Sequence, residues 1–334
     1  MNANVIGDGA RYLSLSLANT KLKNELNRLS AQLSDGEISD KAKALKGDTS
    51  RFSAIDHSLK TLDASIVRNN ETSLMLGVMQ RSLDGVNEQR GELAETLTKI
   101  TRDSSSVQVD ESARNAVERF ATMVSMLNTD LAGKRLFSGT AVDKTALASA
   151  NDMLADILAA LGGATDFAKI EATVNAWFDD PGGGFETVGY LGEDGAFLAR
   201  RLDENRIASI PARADTPEIR ATLKGAALAA LADQIPGLAQ ATRTDLLFQG
   251  GLQLHSAASS IVDVQARIGF LEGEVERVIT AQTAEVSALS QARNDLVNDD
   301  PFETASALQA LQVQLETHYQ MTARLSRLSL AEYI

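Results

Sequence analysis

The chain contains no cysteine. That excludes disulfides, zinc–thiolate sites, iron–sulfur clusters and thiol catalysis, and it leaves the compartment open, because a thiol-free chain suits the cytosol and the exterior alike. Proline is scarce and unevenly placed. None of the five lies in the first 180 residues; Pro181, Pro211, Pro217 and Pro236 crowd one stretch, and Pro301 stands apart. Since proline breaks helix interiors, long helices are open to residues 1–180 and 237–300. Aromatic residues make up only 4% against 44% apolar overall, so the core must be built mostly from Leu, Ala, Val and Ile, as in helical bundles. Positive charge is also short: 32 Lys and Arg face 45 Asp and Glu, giving a net charge of -13. That balance argues against nucleic acid or an anionic membrane as the main partner. No window approaches 18 uninterrupted apolar residues, so no membrane-spanning helix is expected. The opening Met1-Asn2-Ala3-Asn4-Val5-Ile6 lacks the basic and apolar regions of a secretory signal, so any export would use a route without a cleaved signal.

What is present is helical periodicity. The 334 residues suggest about two domains, at roughly 150 residues each, with a sizeable core. Leu59, Leu62, Ile66, Asn69, Ser73 and Leu76 step by alternating threes and fours. After an extra three-residue step the pattern resumes at Met79, Leu83, Val86, Arg90, Leu93, Leu97 and Ile100. This reads as a heptad seam with a stammer near Gly77, on a helix from about 54 to 102 and roughly 70 Å long. A second helix follows through Ala113, Val117, Phe120, Val124, Leu127 and Leu131, with Asp110 as its expected N-cap and Gly133 as its stop. Near the other end Ile261, Val264, Ile268, Leu271, Val275 and Val278 repeat the spacing, continuing through Gln282 and Glu285 to Leu289, Ala292 and Leu296. The polar seam positions Asn69, Ser73, Arg90, Gln282 and Glu285 leave two readings open. They fix register or face a neighbouring subunit, or the phase is locally off by one residue.

Both ends add a shorter helix. Leu22, Leu26, Leu29 and Leu33 mark the first, ending near Asp35-Gly36. Asp300 as N-cap, Pro301 at the first helical position and Glu303 two residues on start the last, which carries Leu308, Leu311, Leu315, His318, Thr322 and Leu325. An amphipathic rod cannot bury its seam alone, so the expected fold is mainly α: a long-helix antiparallel coiled-coil bundle formed by both chain ends. Between them sits an inserted small α/β module. Seven of the fifteen aromatics (Phe137, Phe167, Trp177, Phe178, Phe185, Tyr190 and Phe197) cluster there. Helices are expected at 145–161, at 167–178 and from Thr216-Pro217 to Pro236-Gly237, and short strands at 185–191, 196–202 and 206–210. Residues 140–240 hold 15 acidic and 8 basic residues, which suits a solvated outer surface. The division is therefore 1–40 with 300–334 as terminal assembly helices, 41–139 with 246–299 as rod, and 140–245 as outer module.

Chemistry-bearing motifs are missing. His57, His255 and His318 have no second histidine at helical spacing and read as surface or interfacial residues. The glycines at 182–184 and at 189, 192 and 195 match neither phosphate-loop nor dinucleotide spacing and read as turns. Asp179-Asp180 and Asp299-Asp300 lack calcium-loop spacing; capping accounts for the second pair. There is no Gly-x-Ser-x-Gly elbow. No enzyme activity, metal, cofactor or small-molecule substrate is expected.

Three stretches resemble the flagellin family, and more closely its hook-associated protein 3 branch at the hook–filament junction. Leu26-Asn-Arg-Leu-Ser-Ala-Gln-Leu-Ser-Asp-Gly-Glu-Ile38 resembles the family's opening helix and "L-S-x-G" step. Gly133-Lys-Arg-Leu-Phe-Ser-Gly-Thr140 is similar to the "L-F-x-G" step into the variable domain. Ala292 to Ala305 and Leu325 to Ile334 are similar to the "D-P-x-E-A … S-L-x-D-Y-L" ending. The resemblance covers roughly 1–140 and 245–334; residues 141–244 match nothing. The opening and the Glu332-Tyr333-Ile334 ending depart from filament flagellins and favour the junction branch. The resemblance implies an extracellular structural protein of the bacterial flagellum, exported unfolded by the type III route. The implied partners are hook-associated protein 1, flagellin, further copies of itself in a ring, and an export chaperone on the C-terminal helix. It implies subunit-interface roles for Leu22, Leu26, Leu29, Leu33, Leu308, Leu311, Leu315, Leu325 and Leu328. A flagellin-like filament subunit is the alternative within that class, and a cytosolic coiled-coil adaptor is the alternative outside it.

Overall fold

The computed structural model describes residues 3–40, 45 and 49–331, with the side chains at 3–9, 11, 12 and 325–331 outside that description. In chain order the elements are α1 (Ala3–Asp35), α2 (Ser50–Thr98), α3 (Ser106–Leu127), a hairpin of β1 (Asp130–Leu131) and β2 (Lys134–Arg135), α4 (Ala150–Leu161) and α5 (Phe167–Asp179). A π-helical turn (Phe185–Gly189) and a second hairpin, β3 (Ala199–Arg201) with β4 (Ile207–Ser209), follow. Then come α6 (Pro217–Gln234), α7 (Gln240–Ser256), α8 (Ala258–Val297) and α9 (Pro301–Ala331). Helix accounts for 74% of the structure, and the sheets among the described residues are two antiparallel hairpins, so the fold is mainly α with a small mixed module. The chain forms two compact units, Ser65–Gln282 and Met1–Ala64 with Thr283–Ile334.

In the Ser65–Gln282 unit, where Met75, Ser82 and Ala94 of α2 are buried beside it, the seam of α2 is Ser65, Asn69, Thr72, Leu76, Met79, Leu83, Val86, Arg90, Leu93 and Leu97. Their steps alternate four and three without a break. The stammer near Gly77 is therefore absent, and Ile66 and Ser73 are only half-buried beside the seam rather than in it. The cause is chemical: seam positions 65 and 72 hold Ser and Thr, and the neighbouring Ile66 drew the apolar pattern one residue out of phase. On α8, Ile261, Val264, Ile268, Leu271, Val275, Val278 and Gln282 are buried at the spacing the sequence shows, whereas Glu285 is exposed. The two helices run antiparallel. Asn69 Nδ2 donates to Gln282 Oε1 at 3.0 Å, Gln80 Nε2 to the Gln265 carbonyl at 2.8 Å, and Gln265 Nε2 to Asp84 Oδ1 at 2.5 Å.

The third rod helix, α3, starts five residues earlier than Asp110. Ser105 is its N-cap, and a reciprocal pair with Gln108 closes a capping box (Gln108 N to Ser105 Oγ 3.3 Å, Ser105 N to Gln108 Oε1 3.1 Å). Asp110 instead pairs with Arg243 on α7. Gly133 is likewise not a helix stop. The helix ends at Leu127, and Ala132 (φ 52°) and Gly133 (φ 78°) form the tip of the β1–β2 hairpin, where both central residues need positive φ.

The centre of this unit is α6, whose Leu223 and Ala226–Leu231 are all 0% exposed. A helix buried on every face has no amphipathic pattern. Small side chains let its neighbours approach closely. A Cβ on Gly250 would lie 2.8 Å from both the Ala229 Cβ and the Gly225 carbonyl, and one on Gly251 would lie 2.9 Å from Leu97 Cβ. The adjacent glycines thus let α7 wedge between α6 and α2. Each fully buried Leu or Phe contributes about 1.5–3 kcal/mol over its exposed state, against roughly 0–1 kcal/mol for a surface ion pair, so packing decides the stability here.

The expected strand at 185–191 is not formed. Residues 185–189 make the π-helical turn, and Tyr190 has only a single bridge to Leu147. Trp177 is the reason. It stacks edge-on with Phe178 and Phe185 (ring centroids 4.7 and 6.0 Å apart), donates from Nε1 to Asp156 Oδ2 at 2.6 Å, and lies against the chain at Gly184. A Cβ on Gly184 would stand 1.8 Å from Trp177 Nε1, so this glycine leaves the space the indole needs. The other two expected strands are observed as β3 and β4, with Ala199 opposite Ser209 and Arg201 opposite Ile207.

Candidate functional site

The other unit brings the two chain ends together. Helix α1 ends where Gly36 takes φ +70°, and its N–H returns to the Gln32 carbonyl at 2.9 Å. Helix α9 begins at Pro301 under Asp300, whose Oδ1 accepts from the N–H groups of Phe302 (2.9 Å) and Glu303 (3.3 Å). The two turns are stitched together. Ile38 N donates to the Val297 carbonyl (2.9 Å), Asp299 N donates to the Gly36 carbonyl (3.1 Å), and Glu37 bridges Asn298. Gln32 Nε2 donates to Asp299 Oδ1 at 2.6 Å and to Thr304 Oγ1 at 3.2 Å, inside the base of the pair. Arg293 reaches Glu37 Oε1 at 3.2 Å and lies over the Phe52 ring, 5.5 Å from its centroid.

From this base α1 and α9 pack on each other. Leu29 is buried, and Leu22, Leu26, Leu308, Leu311 and Leu315 are half-buried. Leu33 is 39% exposed, and Gln32 takes the buried place one residue earlier. The side chains of Leu325 and Leu328 lie outside the described residues. Arg28 donates to Glu25 at 2.9 and 2.5 Å, and that hydrogen bond pushes the guanidinium pKa up. Lys23 Nζ sits 5.8 Å from the Tyr319 ring centroid.

The pair does not cover its own apolar surface. Leu13 and Leu17 on α1, and Val313 and Met321 on α9, are each more than half exposed, and Phe302 is 83% exposed. Two helices bury one stripe each, and leucines on the remaining faces stay in water unless further helices are supplied. The apolar period points to Leu22, Leu26, Leu29, Leu308, Leu311 and Leu315 but not to Gln32, Asp299 and Thr304, because a polar set at a helix junction carries no apolar period. Asp299 beside the capping Asp300 was the available signal.

His57 and His255 are exposed and His318 is half-buried on α9. Asp179 pairs with Lys224 at 2.5 Å, and Asp180 follows the end of α5. Among the described residues no cluster of three or more His, Asp or Glu is placed to hold a metal, and no helix is long and apolar enough to cross a membrane.

Comparison with known proteins gives a class for one end of the chain. Residues 253–334 match the family model of the bacterial flagellin C-terminal helical region, a stretch that takes in the end of α7 and all of α8 and α9. Two solved structures are similar to the chain. A Vibrio parahaemolyticus protein described as a "putative flagellar hook-associated protein" shares 10% identity over 73% of this chain and 95% of that one, with a TM-score of 0.51. FlgL of Bacillus cereus shares 10% identity over 75% of this chain and 99% of that one, with a TM-score of 0.40. The first likeness shows a shared fold. No curated protein matches the sequence.

Proposed function

We propose that the chain is a structural subunit of the bacterial flagellum and, within it, the protein that joins the hook to the flagellin filament. One observation carries the reading: the two chain ends form a helix pair that leaves Leu13, Leu17, Val313 and Met321 uncovered, and the C-terminal member lies inside the flagellin-matching stretch. The role is mechanical rather than enzymatic. Residues 1–40 and 300–334 pack against neighbouring subunits, 41–139 and 246–299 form the rod, and 140–245 faces outward. Leu22, Leu26, Leu29, Leu33, Leu308, Leu311, Leu315, Leu325 and Leu328 supply the subunit interface. The partners are hook-associated protein 1 on one side, flagellin on the other, and copies of the same chain around the ring. An export chaperone holds α9 before passage out of the cell, and the assembled protein is extracellular.

A deletion strain tests this reading. Hooks without filaments, with flagellin shed into the medium as monomers, are the expected outcome. Partial loss of filaments would transfer the chain to the filament-subunit reading, which the match to a flagellin region also favours. Intact filaments and normal swimming would overturn both and leave the cytosolic coiled-coil adaptor.

A further inference from the structure

Three polar side chains occupy one level of the α2–α8 seam, and all three converge on a single backbone carbonyl of the inserted module. Leu202 lies at the end of the β3–β4 hairpin, where its N–H donates to the Arg206 carbonyl at 2.9 Å, and its side chain is 0% exposed. Its carbonyl accepts from Asn69 Nδ2 at 2.9 Å, Ser65 Oγ at 3.2 Å and Gln282 Nε2 at 3.2 Å. The side chains also bind one another: Asn69 Nδ2 donates to Gln282 Oε1 at 3.0 Å and Gln282 Nε2 to Ser65 Oγ at 2.9 Å. All are buried, and Asn69 Oδ1 has no partner.

We propose that Ser65, Asn69 and Gln282 form a register lock for the two rod helices, and that the lock is complete only when the β3–β4 hairpin is seated. The inventory of donors carries the argument. An amide offers two N–H groups and a serine one O–H. Asn69 and Gln282 each spend one N–H within the seam and the other on Leu202, and the Ser65 hydroxyl goes to Leu202 as well. Take the hairpin away and three donors on the seam lose the acceptor they share, leaving polar groups that only water can satisfy in a layer flanked by apolar residues. An apolar layer discriminates less between registers one heptad apart, since a slip returns apolar positions to apolar positions. A polar layer that must meet a fixed partner discriminates more, which is how buried polar residues specify register in coiled coils. Pairing of the rod in its one register is thus conditional on the folding of a hairpin that lies 133 residues from Asn69 and 80 from Gln282 in sequence. This inference stands whether or not the chain is flagellar.

The absence of native cysteine supplies the test. The Asp84 and Gln265 side chains touch in the observed register, so Asp84→Cys with Gln265→Cys in the full chain reports it with a short bis-maleimide. Asp84→Cys with Glu272→Cys reports a slip of one heptad. The native hairpin should give the first product alone. Replacing residues 199–209 by a Gly-Ser linker of equal length should give both products in comparable yield. It should also remove hydrogen-exchange protection from residues 65–76 and 275–282. Leu202→Ala keeps the carbonyl and removes only packing, so it should lower Tm by several degrees yet retain the single product. Adding Ser65→Ala, Asn69→Leu and Gln282→Leu to the linker chain should restore protection, because an apolar layer needs no hairpin. The lock is overturned if the linker chain keeps a single product, or if Leu202→Ala scrambles the register as the linker does. Where the linker chain fails to fold, the apolar triple decides: regained folding supports the lock, and continued unfolding refutes it.

Discussion

The two units use the same helical spacing to opposite ends. In Ser65–Gln282 the seam residues Leu76, Met79, Leu83, Val86, Leu93 and Leu97 are 0% exposed, because α2, α3, α6, α7 and α8 surround one core. In the terminal unit the leucines of α1 and α9 follow a similar spacing and are mostly half-buried where the two helices pack on each other. A heptad pattern therefore specifies which face is apolar, and the number of layers supplied decides whether that face is satisfied. The first unit closes its own core. The second presents leucines on faces its own helices do not reach.

Matched substitutions put that contrast at risk. Leu83→Ala should cost about 2–5 kcal/mol, the range for a leucine lost from a closed core. Leu311→Ala should leave the main thermal transition within about a degree of the parent. Equal losses, read by calorimetry, would mean that the two units unfold as one. Next in size is Gly250→Ala. The added Cβ must push α7 away from Ala229 and Gly225, which should cost about 2 kcal/mol in denaturant unfolding despite alanine's better helix propensity. A stabilised variant would show that the α6–α7 approach is not tight.

Removing the helix caps should have smaller and separable effects. Ser105→Ala should lower the stability of the Ser65–Gln282 unit by about 1 kcal/mol. Asp300→Ala should act by a similar amount on α9 alone, visible as faster exchange of its first turn. The smallest thermal change is expected for Leu311→Asp with Leu315→Asp: an unchanged main transition, together with loss of co-assembly in a sedimentation assay. Assembly at wild-type levels would remove α9 from the proposed interface.

The sequence made the helices legible wherever apolar residues kept a period. The α8 seam from Ile261 to Gln282, the junction at Asp300-Pro301 and the end of α1 at Gly36 all stand where the pattern puts them. It misled where a polar residue fills a buried place. Ser65 and Thr72 hid the true phase of α2, and Gln32 displaced Leu33 from the base of the terminal pair. The open question about polar seam positions resolves residue by residue. Asn69 and Gln282 are true seam residues that bind each other, whereas Ser73 and Glu285 were products of a shifted phase. Arg90 is buried too; it donates to the Leu254 carbonyl at 2.9 Å, three residues before the break between α7 and α8, and burial lowers its pKa. The pairing of Asp110 with Arg243 was hidden for another reason, since the partner lies 133 residues away and no local rule reaches it. The Trp177 cradle was hidden in the same way, because Gly184 looks like part of a loop until the indole it accommodates is in place.

The all-round burial of α6 has a consequence for how this chain tolerates change. From Leu223 to Leu231 every turn touches a neighbour, and the inter-helix spacing is set by alanine and glycine rather than by larger side chains. A saturation scan across α6 should therefore be nearly blind to polarity class and sharply sensitive to size. Serine should pass at several alanine positions where valine and leucine fail. The surface helices should show the reverse, accepting bulk and discriminating by charge. Sequence drift in this molecule is then free at its rim and arrested along a single central axis built mainly of alanine, glycine and leucine.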